Sequence, residues 1–451
     1  MTQETDSGRS STSSRRPSRP ALRVVVESTV SSGDGDANPP ARWQPKRLLD
    51  APHRLGFFAA ALMFALSALW WATQLTLRAL SHTAALTVPP PIAHGLLMAT
   101  GFMPLFIVGF LFTAGPRWLG LPPVTARTLF APVLAMLGGG VVLLIGFHLS
   151  AGLAAAGGAL GAAGWSAIMG RFLWLVRASK ASDRVHAIMV AGAGVIGALA
   201  WWAASIALAT SSMMAARVAT RAMLWFWLAP TFVAVSHRMI PFFTASALPA
   251  LDAWRPFWLL WLQLAALVFA GAGFIAEILW WPLPAALHAV QGGIELLIAA
   301  ALLALAWRWG LVQSLRNRLL AMLHGGYLWL GLAFALLAIA HALQAGGRVA
   351  GLGLAPLHAL SMGYFGATLI AMTTRVAVGH SGRSLVADDL AWLLYLVLQT
   401  AVLLRVAAEL WPAAQTPLTL AAIAAWCAAT VGWAWRYGGW MGRPRVDGRP
   451  G

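Results

Sequence analysis

Past residue 50 the chain alternates between long apolar runs and short polar stretches. Twelve such runs are drawn, near 56–80, 92–114, 129–149, 152–176, 185–209, 218–240, 257–280, 283–307, 319–342, 354–378, 389–411 and 417–436. Each reaches the roughly 20 residues that an α-helix needs to cross a hydrocarbon core of about 30 Å. The runs are apolar all round, with neither strict alternation nor a single stripe at helical spacing, so they predict helices buried among other helices or in lipid. The fold class expected is therefore an all-α polytopic membrane protein with about twelve transmembrane helices. Pro104 and Pro116 are expected to kink and to end the second span. The Gly-rich stretch 151–164 predicts a close helix-packing surface, because missing side chains let backbones approach. It is a poor phosphate loop, having neither a preceding strand nor an acidic partner.

Composition sharpens this picture. The chain has 451 residues, of which 59% are hydrophobic and 10% charged, whereas soluble domains carry about a quarter charged residues. The formal net charge of +17 does not point to nucleic acid, because the cations lie in the loops and tails that membrane topology explains. With both termini cytoplasmic, only Arg78, Arg217, Arg221, Arg348 and Arg405 of the 31 Lys and Arg face outward. That asymmetry supports an even number of spans. Three regions follow: a Ser-rich basic tail over 1–50 that cannot bury a core, a twelve-helix domain over 51–438, and a short basic tail over 439–451. The single cysteine, Cys427, excludes an internal disulfide.

The polar residues inside the spans carry the candidate chemistry, since an ionisable group there is costly unless partnered. On this topology His82, His94, His148, His288, His341 and His358 lie toward the outer face, and His53, His186, His237, His324 and His380 toward the inner face. His94 and His358 each sit just inside a span, which fits a metal or haem ligand better than an interfacial residue. Met98 shares a helix face with His94 and is either an axial thioether or a packing residue. In the eighth run His288, Gln291, Gly292 and Glu295 form one polar stripe. Glu295 lies about 18 Å along that run from its start near 283, and Glu277 in the seventh run is a candidate partner. The stripe reads either as a proton or ion route or as hydrogen bonding between helices. Arg217 and Arg221 suit a haem propionate or lipid phosphate, or simple interface anchoring. Paired tryptophans such as Trp70-Trp71 are expected to mark interfacial belts.

Three stretches resemble the NnrS family of bacterial membrane proteins: HGLLMATGFMPLFIVGFLFTAGPRWLG at 94–120, SHRMIPFFT at 236–244, and HALSMGYFGATLIAMTTRVAVGHSGR at 358–383. They are spread over most of the membrane region in the family's order. The resemblance implies a multi-pass protein of the bacterial inner membrane that binds haem b and copper and belongs to the response to nitric oxide and nitrosative stress, often near denitrification. It departs at the second-span motif, usually His-x-His-Glu-Met, where this chain has His94, Gly95, Leu96, Leu97 and Met98; a copper site needing the second His is thereby put in doubt. A more distant analogy is the haem–copper oxidase bundle, which holds a haem between spans two and ten, the spans carrying His94 and His358. The seventh run lacks the His pair such an oxidase needs for copper.

The expected protein is thus an NnrS-type membrane haem protein with His94 and His358 as axial ligands. His288 and His341 are expected as copper ligands or as supports of the haem site. His237 and His380 are further metal candidates at the inner level. The rivals are a proton-coupled transporter using His288, Gln291 and Glu295, and a redox enzyme acting on nitric oxide or quinol.

Overall fold

The structure is a computed structural model that describes residues 42–82, 85–348 and 350–449. The expected N-terminal tail lies outside the described residues as far as residue 41. From there a 3-10 turn, Pro45–Leu49, leads into the bundle. Twelve long helices follow: α1 (Pro52–Ala79), α2 (Pro90–Trp118), α3 (Ala126–Leu149), α4 (Ala151–Ala178), α5 (Val185–Ala209), α6 (Met213–Ala247), α7 (Phe257–Trp280), α8 (Ala285–Arg308), α9 (Arg318–Ala345), α10 (355–380), α11 (Asp389–Leu410) and α12 (Pro412–Met441). No strand occurs among the described residues. Eleven of the helices are long and apolar enough to cross a membrane. The exception is α10, whose hydropathy is lowered by His358, Ser361, Thr368, Thr373, Thr374 and Arg375. The chain is a polytopic all-α membrane protein.

Helices adjacent in sequence pack side by side, and α1 closes the arrangement against α12. The α3–α4 pairing shows why the Gly-rich stretch is glycine. A Cβ on Gly157 would stand 2.3 Å from the Leu143 backbone nitrogen, and one on Gly139 would stand 2.5 Å from that of Gly161. The backbones touch directly, as small-residue interfaces in membranes allow. α2 lies in the interior, buried by protein along most of its length. It breaks at Gly101 and Phe102, just before Pro104, which has no N–H for the helix ladder. Pro116 instead sits inside the last turn before Trp118.

α10 is the other interior helix, buried along nearly all of its length. Residues Ala359–Gly366 wind as a π-helix, as do Leu224–Leu228 of α6. Such bulges commonly accompany functional sites. Several polar groups in this interior find partners, as a bilayer favours. The Tyr327 hydroxyl donates to Gln263 Oε1 (2.7 Å), Trp433 Nε1 donates to Thr374 Oγ1 (2.9 Å), and Tyr364 shares a hydrogen bond with Ser236 (3.0 Å).

The first and last described segments meet at one end of the bundle, the end expected to face the cytoplasm. α12 runs to Met441, so part of the expected 439–451 tail is helical. The buried Arg54 donates from Nη1 to the carbonyls of Met441 (2.9 Å) and Arg443 (2.7 Å).

Candidate functional site

The two histidines expected to act together come from α2 and α10. His94 and His358 lie within electrostatic range of each other, and Arg405 of α11 is within range of both. Both side chains are deep in the bundle yet keep accessible surface. His358 Nδ1 is 2.9 Å from the Leu354 carbonyl, which accepts its proton and leaves Nε2 with a free lone pair. A metal-bound imidazole is commonly oriented in this way. His94 is stacked on Trp71, with ring centroids 4.1 Å apart and planes 16° apart, and its Nδ1 is buried without a partner. Trp71 therefore holds a candidate ligand, where the sequence suggested a belt residue. Its neighbour Trp70 donates from Nε1 to His148 Nε2 (2.9 Å).

Cations surround this pair. Arg221 faces inward over Phe274 and lies within range of His358, whereas Arg217, one turn earlier, is exposed. Arg405 donates to Glu409 (2.5 Å) and leaves Nη1 buried without a partner. Glu409 in turn accepts from the Leu354 backbone N–H (3.2 Å), fixing the turn that launches His358. Met98 packs against the apolar core.

A second cluster lies at the same end of the bundle, built from α7, α8 and α9. His341 stands between two carboxylates: Nδ1 is 2.5 Å from Glu295 Oε2, and Nε2 is 3.2 Å from Glu277 Oε1. His288 is stacked on His341 with centroids 5.6 Å apart, and its Nδ1 is 3.9 Å from Glu277 Oε1. Donor atoms of Glu277, His288 and His341 all lie within 4.8 Å of one another. The α8 stripe thus turns inward, with Glu295 2% exposed while Leu297 is 72% exposed. Glu277 and Glu295 meet through His341 rather than directly. Gln291 lies against Gly273 of α7, with Oε1 buried and unpartnered. Further along α8 the buried residues are Ala299, Leu302, Leu305 and Ala306, none of them polar.

The histidines at the opposite end of the bundle, expected at the inner level, are arranged differently. His237 uses both ring nitrogens, Nδ1 with His186 Nε2 (3.0 Å) and Nε2 with the Pro256 carbonyl (3.2 Å). Arg238 pairs with Asp183 (3.2 Å) beside them. His380 lies against His53 with ring centroids 4.4 Å apart and planes tilted by 43°, and Arg375 lies over the Phe243 ring at 3.9 Å.

The NnrS protein family model matches residues 47–445, which include every residue of the clusters just described. The chain belongs to the NnrS family. No curated protein matches it. In this NnrS chain the second-span motif keeps donors only at His94 and Met98, and Met98 is taken up in packing. Sequence reasoning missed Trp71, Arg405 and Glu409. Only the i, i+4 pair of Arg405 and Glu409 on an apolar helix gave a signal.

Proposed function

We propose that this protein is a membrane haem protein of the nitric oxide response, with a b-type haem held by His94 and His358. The observation that supports it most is the pair itself. Two imidazoles, from α2 and α10, reach one interior region with unengaged ring nitrogens, beside a guanidinium whose Nη1 lacks a partner. The donor set fits the group: neutral imidazoles suit haem iron, and Arg405 and Arg221 suit its propionates. The haem, when bound, would supply redox and gas-binding chemistry. The chain's own residues orient it. Leu354 fixes the tautomer of His358, Trp71 fixes the ring plane of His94, and Glu409 fixes both Arg405 and the start of α10. Membership of the NnrS family supports the link to nitric oxide.

Purified protein should show a Soret band whose position responds to nitric oxide. His94→Ala and His358→Ala should each lose most of the bound haem, read by the pyridine haemochrome assay. Full haem occupancy in both variants would refute the ligand assignment.

A further inference from the structure

We propose that Glu277, His288 and His341 form a binding site for one divalent transition-metal ion, distinct from the haem pair. The donors would be Glu277 Oε1, His288 Nδ1 and His341 Nε2. Nitrogen and oxygen ligands lie about 2.0–2.1 Å from a zinc ion, which places tetrahedral donors roughly 3.3 Å apart. The separations of 3.2 Å and 3.9 Å to Glu277 bracket that value. Three different helices supply the donors, so the site exists only in the folded bundle.

Two further observations point to a ligand. His288 is 3% exposed, and its Nδ1 has no hydrogen-bond partner. A buried nitrogen left this way costs about 1–3 kcal/mol, and a metal ion would satisfy it. Glu295 is placed as an orienting residue, since it holds His341 Nδ1–H and aims Nε2 at the shared centre. Carboxylate–histidine–metal chains of this kind fix the ring and raise its basicity. Without metal, His341 needs a proton on each nitrogen to serve both carboxylates, and the ion would take the place of the Nε2 proton. Two imidazoles and one carboxylate suit Zn²⁺, Fe²⁺ or Cu²⁺ rather than Mg²⁺ or Ca²⁺. The set leaves an open coordination position, as reactive rather than structural sites do.

The test uses the full-length protein in detergent, stripped with EDTA and then titrated with Zn²⁺ by calorimetry. Metal content is read by mass spectrometry after gel filtration. One Zn²⁺ per chain is expected, and Cu²⁺ bound instead should show imidazole nitrogen coupling by electron paramagnetic resonance. Glu295→Gln should weaken Zn²⁺ binding roughly 10–100-fold, and Glu277→Gln and His288→Asn should weaken it further. His94→Ala should keep the Zn²⁺ site while losing haem, which separates a failure of this proposal from a failure of the haem reading. Wild-type protein that takes up no Zn²⁺ overturns the proposal. So do monodisperse Glu277→Gln and His288→Asn variants that bind as tightly as wild type. If neither variant is monodisperse, bound Cu²⁺ without nitrogen coupling overturns it as well.

Discussion

His341 is the hub of the cluster joining α7, α8 and α9, and removing it should expose how the cluster is held. In His341→Leu, Glu295 loses the one side-chain partner it has among the described residues, while its own side chain is 2% exposed. Breaking a buried pair by deleting one member costs about 3–5 kcal/mol, because the other charge is stranded. Glu277 suffers less, being 18% exposed and within range of Arg221. Adding Glu295→Leu removes the stranded group and fills its place with apolar atoms, a replacement that is often neutral or stabilising. The double variant should therefore be more stable than His341→Leu alone, by about 2–4 kcal/mol. Glu295→Leu alone should cost only about 1.5–3 kcal/mol, since His341 keeps Glu277. The assay is unfolding by sodium dodecyl sulfate of EDTA-treated protein, followed by the fluorescence of its 24 tryptophans. EDTA keeps bound metal out of the comparison. If the second substitution destabilises His341→Leu further, the carboxylate is not held as a buried charge and the reasoning fails.

Two other perturbations test the bundle itself. Gly157→Leu places side-chain atoms where the Leu143 backbone nitrogen already stands 2.3 Å from a Cβ, so α3 and α4 must part. The loss should reach at least about 1–3 kcal/mol, and an unchanged unfolding midpoint in detergent would contradict the close packing. Arg54→Ala removes the two hydrogen bonds that clamp the end of α12. Bonds to a charged donor contribute about 1.5–3 kcal/mol, so trypsin should cut after Arg445 about tenfold faster or more; an unchanged rate would show that other contacts hold the terminus.

The helices were legible because lipid leaves the backbone few choices. A segment that crosses must satisfy its own N–H and C=O groups, so apolar length alone marks it. Legibility failed where a helix serves the interior rather than the lipid. α10 reads as weakly apolar because it is surrounded by protein, and its π-helical turn leaves no mark in hydropathy. The α8 stripe was legible as a polar face, since i, i+3, i+4 and i+7 is a local relation. That Glu277 and Glu295 would share one imidazole was not, because it depends on how three helices are rotated against one another. Trp71 shows the same limit: a tryptophan near a helix end is ordinary in a membrane protein, and only the packing of α1 against α2 turns it onto His94.

Unsatisfied polar groups that converge are the ones a single ligand can satisfy together. Buried nitrogens without partners occur at both ends of the bundle, at Arg47, His53, Arg54 and His324 at one end as well as at His94 and His288 at the other. One such atom is a small penalty that a large bundle tolerates. Convergence is different. At the first of these ends two histidines close on one another and on the backbone, His186 meeting His237 and His237 meeting Pro256. At the other end unsatisfied atoms of His94 and Arg405 lie beside His358 in one region, and those of His288 and Gln291 lie beside two carboxylates in the next. Arg221 lies within range of His358 on one side and Glu277 on the other, so a change of charge in either region should be felt in its neighbour. Groups kept unsatisfied in company are costly to fold around, and a ligand that fills both regions is the simplest reason for a membrane protein to keep them.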